Sequence, residues 1–171
     1  MQLNYIANTF VTSSSGKTIP VLDPYDGQVF DEIQRSNAAD IHNAVSAARD
    51  CFDLVWQHIT AAERERLLMR LSNKITEHAD ELALLEQRDC GKPVKQAKAD
   101  AAALARYFEF YAGACDKLHG ETIPYQDGYS VMTWREPHDV TGHINPWNYP
   151  MQIFGRSVGG ALAAGYRCSG M

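Results

Sequence analysis

The chain has 171 residues, 45% of them apolar and 22% charged, and a net charge of −5 with histidine neutral. This length predicts one domain, and the ordinary composition excludes a disordered or collagen-like chain. Lysine and arginine are scattered among more numerous acids, which argues against a nucleic-acid partner because phosphates need a basic surface. No run approaches the ~20 apolar residues of a membrane helix, and no signal peptide is visible. We therefore expect a cytoplasmic protein without a membrane partner.

Cysteine and histidine spacing gives no indication of a metal site. The four cysteines include no CxxC pair and no histidine at zinc-ligand spacing: Cys51, Cys90, Cys115 and Cys168. Without secretion we expect free thiols that pack as small apolar side chains. His138 and His143 lie in a segment broken by proline and glycine, so they do not share a helix face. We predict no metal.

Short β-prone runs open the chain, at 5–11, 18–22 and 29–34. Both separating segments contain turn residues: serine and glycine in the first, and Pro24 with Gly27 in the second. Proline presets φ and glycine accepts positive φ, so each short separator suits a turn. The spacing predicts antiparallel hairpins between neighbouring runs.

A helical block follows the strands. Apolar residues recur every three or four positions over 41–55, which predicts one face of an amphipathic helix. Asn37 or Ser36 is placed to cap this helix, because each offers a side-chain oxygen to the free backbone N–H groups of the first turn.

Two more helices complete this block. The second opens at Thr60 with Glu63 three residues on, which is the pattern of a capping box. Its apolar stripe has a break near His78, and Gly91 ends the helical run. A third helix is predicted over 95–115, with apolar residues along one face and an alanine run that permits a close neighbour.

The last third of the chain returns to strand patterns. Alternation predicts strands at 129–135 and 140–144, followed by a glycine- and alanine-rich helix over 151–164. The resulting order is strands, a helical block, strands and a helix. This order predicts an α/β fold.

The segment 144–150, Ile-Asn-Pro-Trp-Asn-Tyr-Pro, is the one candidate for chemistry, since phosphate-loop, dinucleotide and nucleophile-elbow motifs are absent. Its two prolines fix a turn between a strand and a helix. Asn148 in such a turn is a rigid amide donor that could hydrogen-bond a developing oxyanion without reorganising. Alternatively, Asn148 caps the helix while Trp147 fills the core. These residues alone favour the cap, because caps far outnumber oxyanion holes.

Several segments carry a family resemblance. Residues 136–150 look like the segment that leads into the P-W-N-[FY]-P motif of the NAD(P)-dependent aldehyde dehydrogenase superfamily. Residues similar to that family's P-A-L-A-A-G-N, D-x-G-K-P, Y-x-x-x-[YF]-A-G and N-P-x-T-G motifs occur at 160–165, 89–93, 107–113 and, more loosely, 23–27. The resemblance covers about 5–165, with the motifs in family order.

The resemblance implies an enzyme that oxidises small-molecule aldehydes to carboxylic acids with NAD or NADP, through a cysteine thiohemiacetal. It gives Asn148 a catalytic role as amide donor to the thiohemiacetal oxygen. It also implies residues that line the nicotinamide side of the cofactor cleft: Ile144, Asn145, Pro146 and Trp147. Tyr149 and Ile153 correspond to positions that line the substrate tunnel in that family.

The resemblance also implies the organisation of the chain, as the N-terminal part of the aldehyde dehydrogenase fold. Residues 1–125 correspond to N-terminal strands and the helical block of the cofactor-binding domain. Residues 126–144 correspond to a β-hairpin of oligomerisation type, and 145–171 to the P-W-N turn and first helix of an incomplete Rossmann-like unit. A homo-oligomer that associates through the hairpin and helix faces is therefore expected.

Departures from the family lead us to expect a fragment. Family members are much longer, and their catalytic cysteine and general base follow the alanine-rich helix. Cys168 lacks the context of that nucleophile, the tail 166–171 lacks strand propensity, and Met171 stands near the position of a family lysine that contacts the cofactor. We expect the chain alone to be inactive and its cofactor binding to be doubtful. The alternative is a non-catalytic module for self-association or interaction, derived from the same family.

Overall fold

Two antiparallel hairpins open the chain in the computed structural model, which describes residues 1–169. Strand β1 (Asn4–Ile6) pairs with β2 (Thr9–Val11), and β3 (Thr18–Leu22) pairs with β4 (Val29–Gln34). The second hairpin is confirmed as predicted, with Gly27 at a φ of 71° in its turn.

The first hairpin differs from the prediction. The run 5–11 was expected as one strand pairing with the next, but it folds back on itself. Ala7 and Asn8 have φ values of 51° and 62°. Positive φ at both central residues gives a two-residue turn that matches the twist of the flanking strands. The predicted pairing of the first run with the second is therefore wrong.

Four helices form the middle of the chain, largely as predicted: α1 (Ala38–Leu54), α2 (Ala61–Glu77), α3 (Ala79–Cys90) and α4 (Val94–Ala112). Asn37 caps α1, and Thr60 with Glu63 forms a complete capping box on α2. His78 separates α2 from α3, and Gly91 ends α3 at a φ of 67°. Local capping and apolar spacing therefore determine these boundaries.

The hydrophobic core lies around α4, which packs on α2, on α3 and on a last helix, α5 (Pro150–Ala163). Ala97, Ala101 and Phe108 are fully buried on α4. Helix α5 approaches α4 through glycines: a Cβ at Gly159 would lie 2.8 Å from the Tyr111 ring. The absence of a side chain at Gly159 therefore lets α5 pack closely against α4. No helix within residues 1–169 is long and apolar enough to cross a membrane.

The strands of the last third pair differently from the prediction. Strand β5 (Thr122–Ile123) pairs antiparallel with β6 (Val131–Met132), whereas β7 (Val140–Gly142) pairs parallel with β8 (Arg167–Ser169). The strands predicted at 129–135 and 140–144 are thus shorter than expected and do not pair with each other. The expected hairpin within 126–144 is wrong in its pairing.

Strand β8 is a further correction, because the sequence predicts no strand in the tail 166–171. Its backbone pairs with β7 despite a sequence of low strand propensity, since tertiary pairing overrides local preference. Strand β7, helix α5 and β8 form a βαβ unit, in which the helix crosses between two parallel strands. Met171, compared above with a family lysine, lies outside the described residues.

Candidate functional site

The loop 143–149 joins β7 to the N-terminus of α5. In α/β folds, ligands bind outside the carboxyl ends of the parallel strands. Helix N-termini at that edge present free N–H groups and a positive dipole end, which favour negative charge. The candidate segment identified from sequence therefore occupies the edge of the βαβ unit where α/β proteins bind ligands.

Asn148 does not cap α5. The N-cap is Tyr149, without a side-chain capping bond, and Pro150 opens the helix. Trp147 is 78% exposed, so it does not fill the core either. The alternative of a cap with a core tryptophan is therefore wrong. Asn148 is exposed, and its amide makes no hydrogen bond within residues 1–169.

The other predicted site residues lie on the same loop and on the first turns of α5. Ile144 is 98% exposed, and Pro146 is also exposed. The side-chain oxygen of Asn145 lies 3.5 Å from Ser157 Oγ. Tyr149 is exposed, while Ile153 is half-buried on α5. Exposed large apolar groups on one loop indicate a surface that binds another group.

A cluster of buried charge lies behind this loop. Lys92 Nζ is 2.9 Å from Glu86 Oε1 and 2.6 Å from Asp100 Oδ2. Burial alone would raise the pKa of Asp100, but hydrogen bonds from Lys92, Gln152 and Gln96 outweigh it, and the pKa lies below its usual range. Burial would lower the pKa of Lys92, but its two carboxylate partners raise it. Both groups are therefore charged at neutral pH.

This cluster contacts the loop directly. The ring of Tyr149 lies with its centroid 4.0 Å from Lys92 Nζ, a cation–π contact. Gln152 Nε2 donates to Asp100 Oδ1 at 2.6 Å. Sequence reasoning assigned none of these roles. The family-like motif at 89–93 contains Lys92 and could have drawn attention to it. The other members of the cluster lie outside that motif, so the sequence did not show that they meet.

A thiol also holds the loop. Cys90 Sγ donates to the carbonyl oxygen of Trp147 at 3.0 Å. Burial, with the nearby Asp89 carboxylate, raises the pKa of Cys90 to about 11, so the sulfur keeps its proton and can donate. Cys51, Cys90 and Cys115 are free thiols, as predicted. The side chain of Cys168 lies outside the described part of the chain.

The residue before β7 has an unusual backbone. Asp139 has a φ of 69°, in the left-handed region that favours glycine. Aspartate tolerates this left-handed region better than most residues. Its Oδ2 lies 2.7 Å from Arg49 Nη1, and this hydrogen bond raises the pKa of Arg49. The pair links α1 to the start of β7.

A cavity of about 1000 Å³ lies at the opposite end of the βαβ unit. Its lining includes Asp139 before β7, Tyr166 before β8, and Trp56 and Arg64 from the helical block. No residue of the loop 143–149 lines it, so it is not part of the candidate site. Within residues 1–169, no group of three or more histidine, cysteine, aspartate or glutamate side chains could hold a metal ion.

Comparisons with known proteins agree with the resemblance seen in the sequence. The model of the aldehyde dehydrogenase family matches residues 10–168. Aldehyde dehydrogenase family 2 member B4, mitochondrial, of Arabidopsis thaliana is 46% identical over 94% of this chain and 30% of its own length. Retinal dehydrogenase 2 of Homo sapiens is 40% identical over 94% of this chain and 32% of its own length.

Solved structures share the fold. A crystal structure of a Burkholderia cenocepacia protein, assigned to the aldehyde dehydrogenases, is 64% identical with a TM-score of 0.95, over 97% of this chain and 35% of that chain. PnpE of Pseudomonas sp. WBC-3, solved in complex with nicotinamide adenine dinucleotide, is 37% identical with a TM-score of 0.94, over 98% of this chain and 34% of that chain.

These matches confirm the α/β fold class and its correspondence to the N-terminal part of the aldehyde dehydrogenase fold. The chain spans about 30% of the length of the curated relatives it matches. The family model covers most of the described residues, including the P-W-N turn, the helices behind it and the βαβ unit. The chain belongs to the aldehyde dehydrogenase family.

Proposed function

We propose that this chain supplies the oxyanion donor and one wall of the cofactor cleft in the oxidation of aldehydes to carboxylic acids with NAD or NADP. The amide of Asn148, which has no hydrogen-bond partner in the part of the chain that the structure describes, is the observation that carries the proposal. It lies on a turn between two prolines and beside the N-terminus of α5. A capping asparagine would accept a helix N–H group through its side-chain oxygen, and Asn148 makes no such bond, so α5 does not hold its side chain.

Asn148 acts when a cysteine thiolate adds to the aldehyde carbon and the carbonyl oxygen becomes negatively charged. The Asn148 Nδ2–H group donates a hydrogen bond to that oxygen. Because the turn already holds the amide in place, little reorganisation is needed as the charge develops. The positive end of the α5 dipole adds to the stabilisation.

The exposed residues of the loop fit one face of a nicotinamide ring. Ile144 and Trp147 offer apolar surface, and we propose that they bind the cofactor together with Asn145 and Pro146. When bound, NAD or NADP takes up the hydride that leaves the substrate carbon. PnpE, a relative, was solved with nicotinamide adenine dinucleotide. We assign Tyr149 and Ile153, on the neighbouring part of the turn and helix, to the aldehyde pocket.

The test is an active chimera in which residues 1–169 replace the matching segment of a longer relative. We expect Asn148→Ala to lower kcat by roughly 10²–10³, because one donor to the oxyanion is lost. KM should change much less, since the neutral carbonyl accepts a weaker hydrogen bond. An unchanged kcat in steady-state kinetics would remove Asn148 from the catalytic residues.

We also propose self-association through the β5–β6 hairpin. Large apolar or aromatic side chains are exposed on and around it: Tyr125, Tyr129, Met132 and Trp134. Such a concentration on a small surface marks an interaction site. We further propose a cytoplasmic location, and fractionation of cells that express the tagged chain tests it.

A further inference from the structure

Three buried charges lie behind the loop 143–149. The side chains of Glu86, Lys92 and Asp100 are 2%, 10% and 0% exposed, respectively. Removing such groups from water costs several kcal/mol per ion, and apolar replacements are often as stable or more so. One buried oxygen of Glu86, Oε2, has no hydrogen-bond partner among residues 1–169. Stability alone therefore does not account for the cluster.

The cluster and its neighbour Cys90 hold the turn on both sides of Asn148. Before it, the Trp147 carbonyl accepts from Cys90. After it, the Tyr149 ring lies over Lys92, and Gln152 donates to Asp100. No contact of this kind reaches the Asn148 amide, which is left without a partner within the described residues.

We propose that Lys92, Asp100 and Gln152 are positioning residues that hold the turn 147–149, so that the Asn148 amide points in one direction before substrate binds. This inference rests on the oxyanion role proposed above. A donor that stabilises developing charge must be fixed in advance, and residues packed behind the site fix it. Lys92 holds the aromatic ring that follows Asn148, and Glu86 with Asp100 holds Lys92.

A matched pair of variants tests the proposal on the 171-residue chain. Gln152 and Gln96 both donate to Asp100 Oδ1, at 2.6 and 2.7 Å, but only Gln152 adjoins the turn. Backbone order parameters of 147–149 are measured by ¹⁵N relaxation. For Gln152→Ala we expect a fall from about 0.85, the value of rigid backbone, to below about 0.6. For Gln96→Ala we expect no change there.

Variants of Lys92 provide a second comparison by the same measurement. Lys92→Met leaves two buried carboxylates without their shared cation and can unfold the chain. Lys92→Arg keeps a cation over the Tyr149 ring, and we expect it to retain the ordered turn. Equal order parameters at 147–149 in Gln152→Ala, Gln96→Ala and the parent chain would overturn the proposal.

This measurement is independent of catalysis. If Gln152→Ala loosens the turn while Asn148→Ala leaves kcat of the chimera unchanged, the oxyanion role fails and the positioning of the turn stands. If Asn148→Ala lowers kcat and the turn stays rigid in Gln152→Ala, the positioning role fails and the oxyanion role stands.

Discussion

At the scale of single residues, the amide of Asn148 separates two explanations that its sequence position could not. A helix cap and an oxyanion donor both need a short polar side chain before a helix. The structure assigns the cap position to Tyr149, so the side chain of Asn148 is not required for the start of α5. Its replacement should therefore affect chemistry and leave folding nearly unchanged.

Asn148→Asp tests this distinction directly. Aspartate is as good an N-cap as asparagine, but it would place a carboxylate against the oxyanion. We expect the chimera with Asp to lose at least as much kcat as the one with Ala. The urea midpoint of the 171-residue chain should shift little in either variant. A fully active Asp chimera, with an Ala variant that only unfolds more easily, would instead indicate a structural role.

The buried ion cluster makes a pH-dependent contribution to stability. The pKa of Asp100 is lower in the folded chain than in the unfolded one, so the unfolded chain takes up the proton first as pH falls. The contribution is complete above about pH 4, the ordinary aspartate value, and is lost as pH falls through the folded pKa. We expect the free energy of unfolding to fall less steeply with decreasing pH in Asp100→Asn than in the parent chain, as measured by urea unfolding from pH 7 to 2. The same decrease in the free energy of unfolding in both proteins would contradict this prediction.

At the scale of elements, the contact between α4 and α5 depends on glycine. An alanine at an exposed position of a helix stabilises it by about 1 kcal/mol relative to glycine. At Gly159 the new Cβ would lie 2.8 Å from the Tyr111 ring, whereas at Gly160 the nearest ring atom lies at 3.3 Å. We expect Gly159→Ala to destabilise the chain by about 1–3 kcal/mol, because the ring or helix must shift.

Gly160→Ala is the matched control for this prediction. It should cost less than Gly159→Ala, since a small displacement of the ring tip relieves the contact. Thermal and urea unfolding of both variants measure the difference. Equal stability of the two variants and the parent chain would show that α5 is free to move away from α4.

Elements whose signals are local could be predicted from the sequence. The capping residues Asn37 and Thr60 and the break at His78 mark the helices because each acts within one turn of its own position. Strand partners could not be predicted in this way. β7 pairs with β8, some 25 residues later, because α5 crosses between them. The buried cluster likewise needs residues from separate elements, and only its lysine lay in a recognised motif.

At the scale of the whole molecule, the exposed aromatic surface around β5 and β6 determines how the chain behaves in solution. Tyr129 and Trp134 are 69% and 77% exposed. We expect the purified chain to form dimers or larger species at micromolar concentration, because burial of this surface is favourable. Sedimentation velocity over a concentration series measures this. The substitutions Tyr129→Ser and Trp134→Ser together should restore the monomer.

Exposed aromatic residues on the N-terminal hairpin serve as the control. Tyr5 and Phe10 are 50% and 69% exposed on the first hairpin, where their rings already pack against each other. Serine at those positions should leave the association unchanged. Association that depends on Tyr5 and Phe10 instead would move the interface to the N-terminal hairpin.

The contacts that hold the P-W-N turn also determine when it folds. Cys90 and Trp147 are 57 positions apart, and Asp100 and Gln152 are 52 apart. Each contact closes a long loop, whose entropy cost must be met before the contact contributes. Helices α2, α3 and α4, by contrast, are neighbours in sequence and can pack early. The turn is therefore completed late, on a surface that is already folded, and we expect the slowest phase of refolding to be observed at this turn.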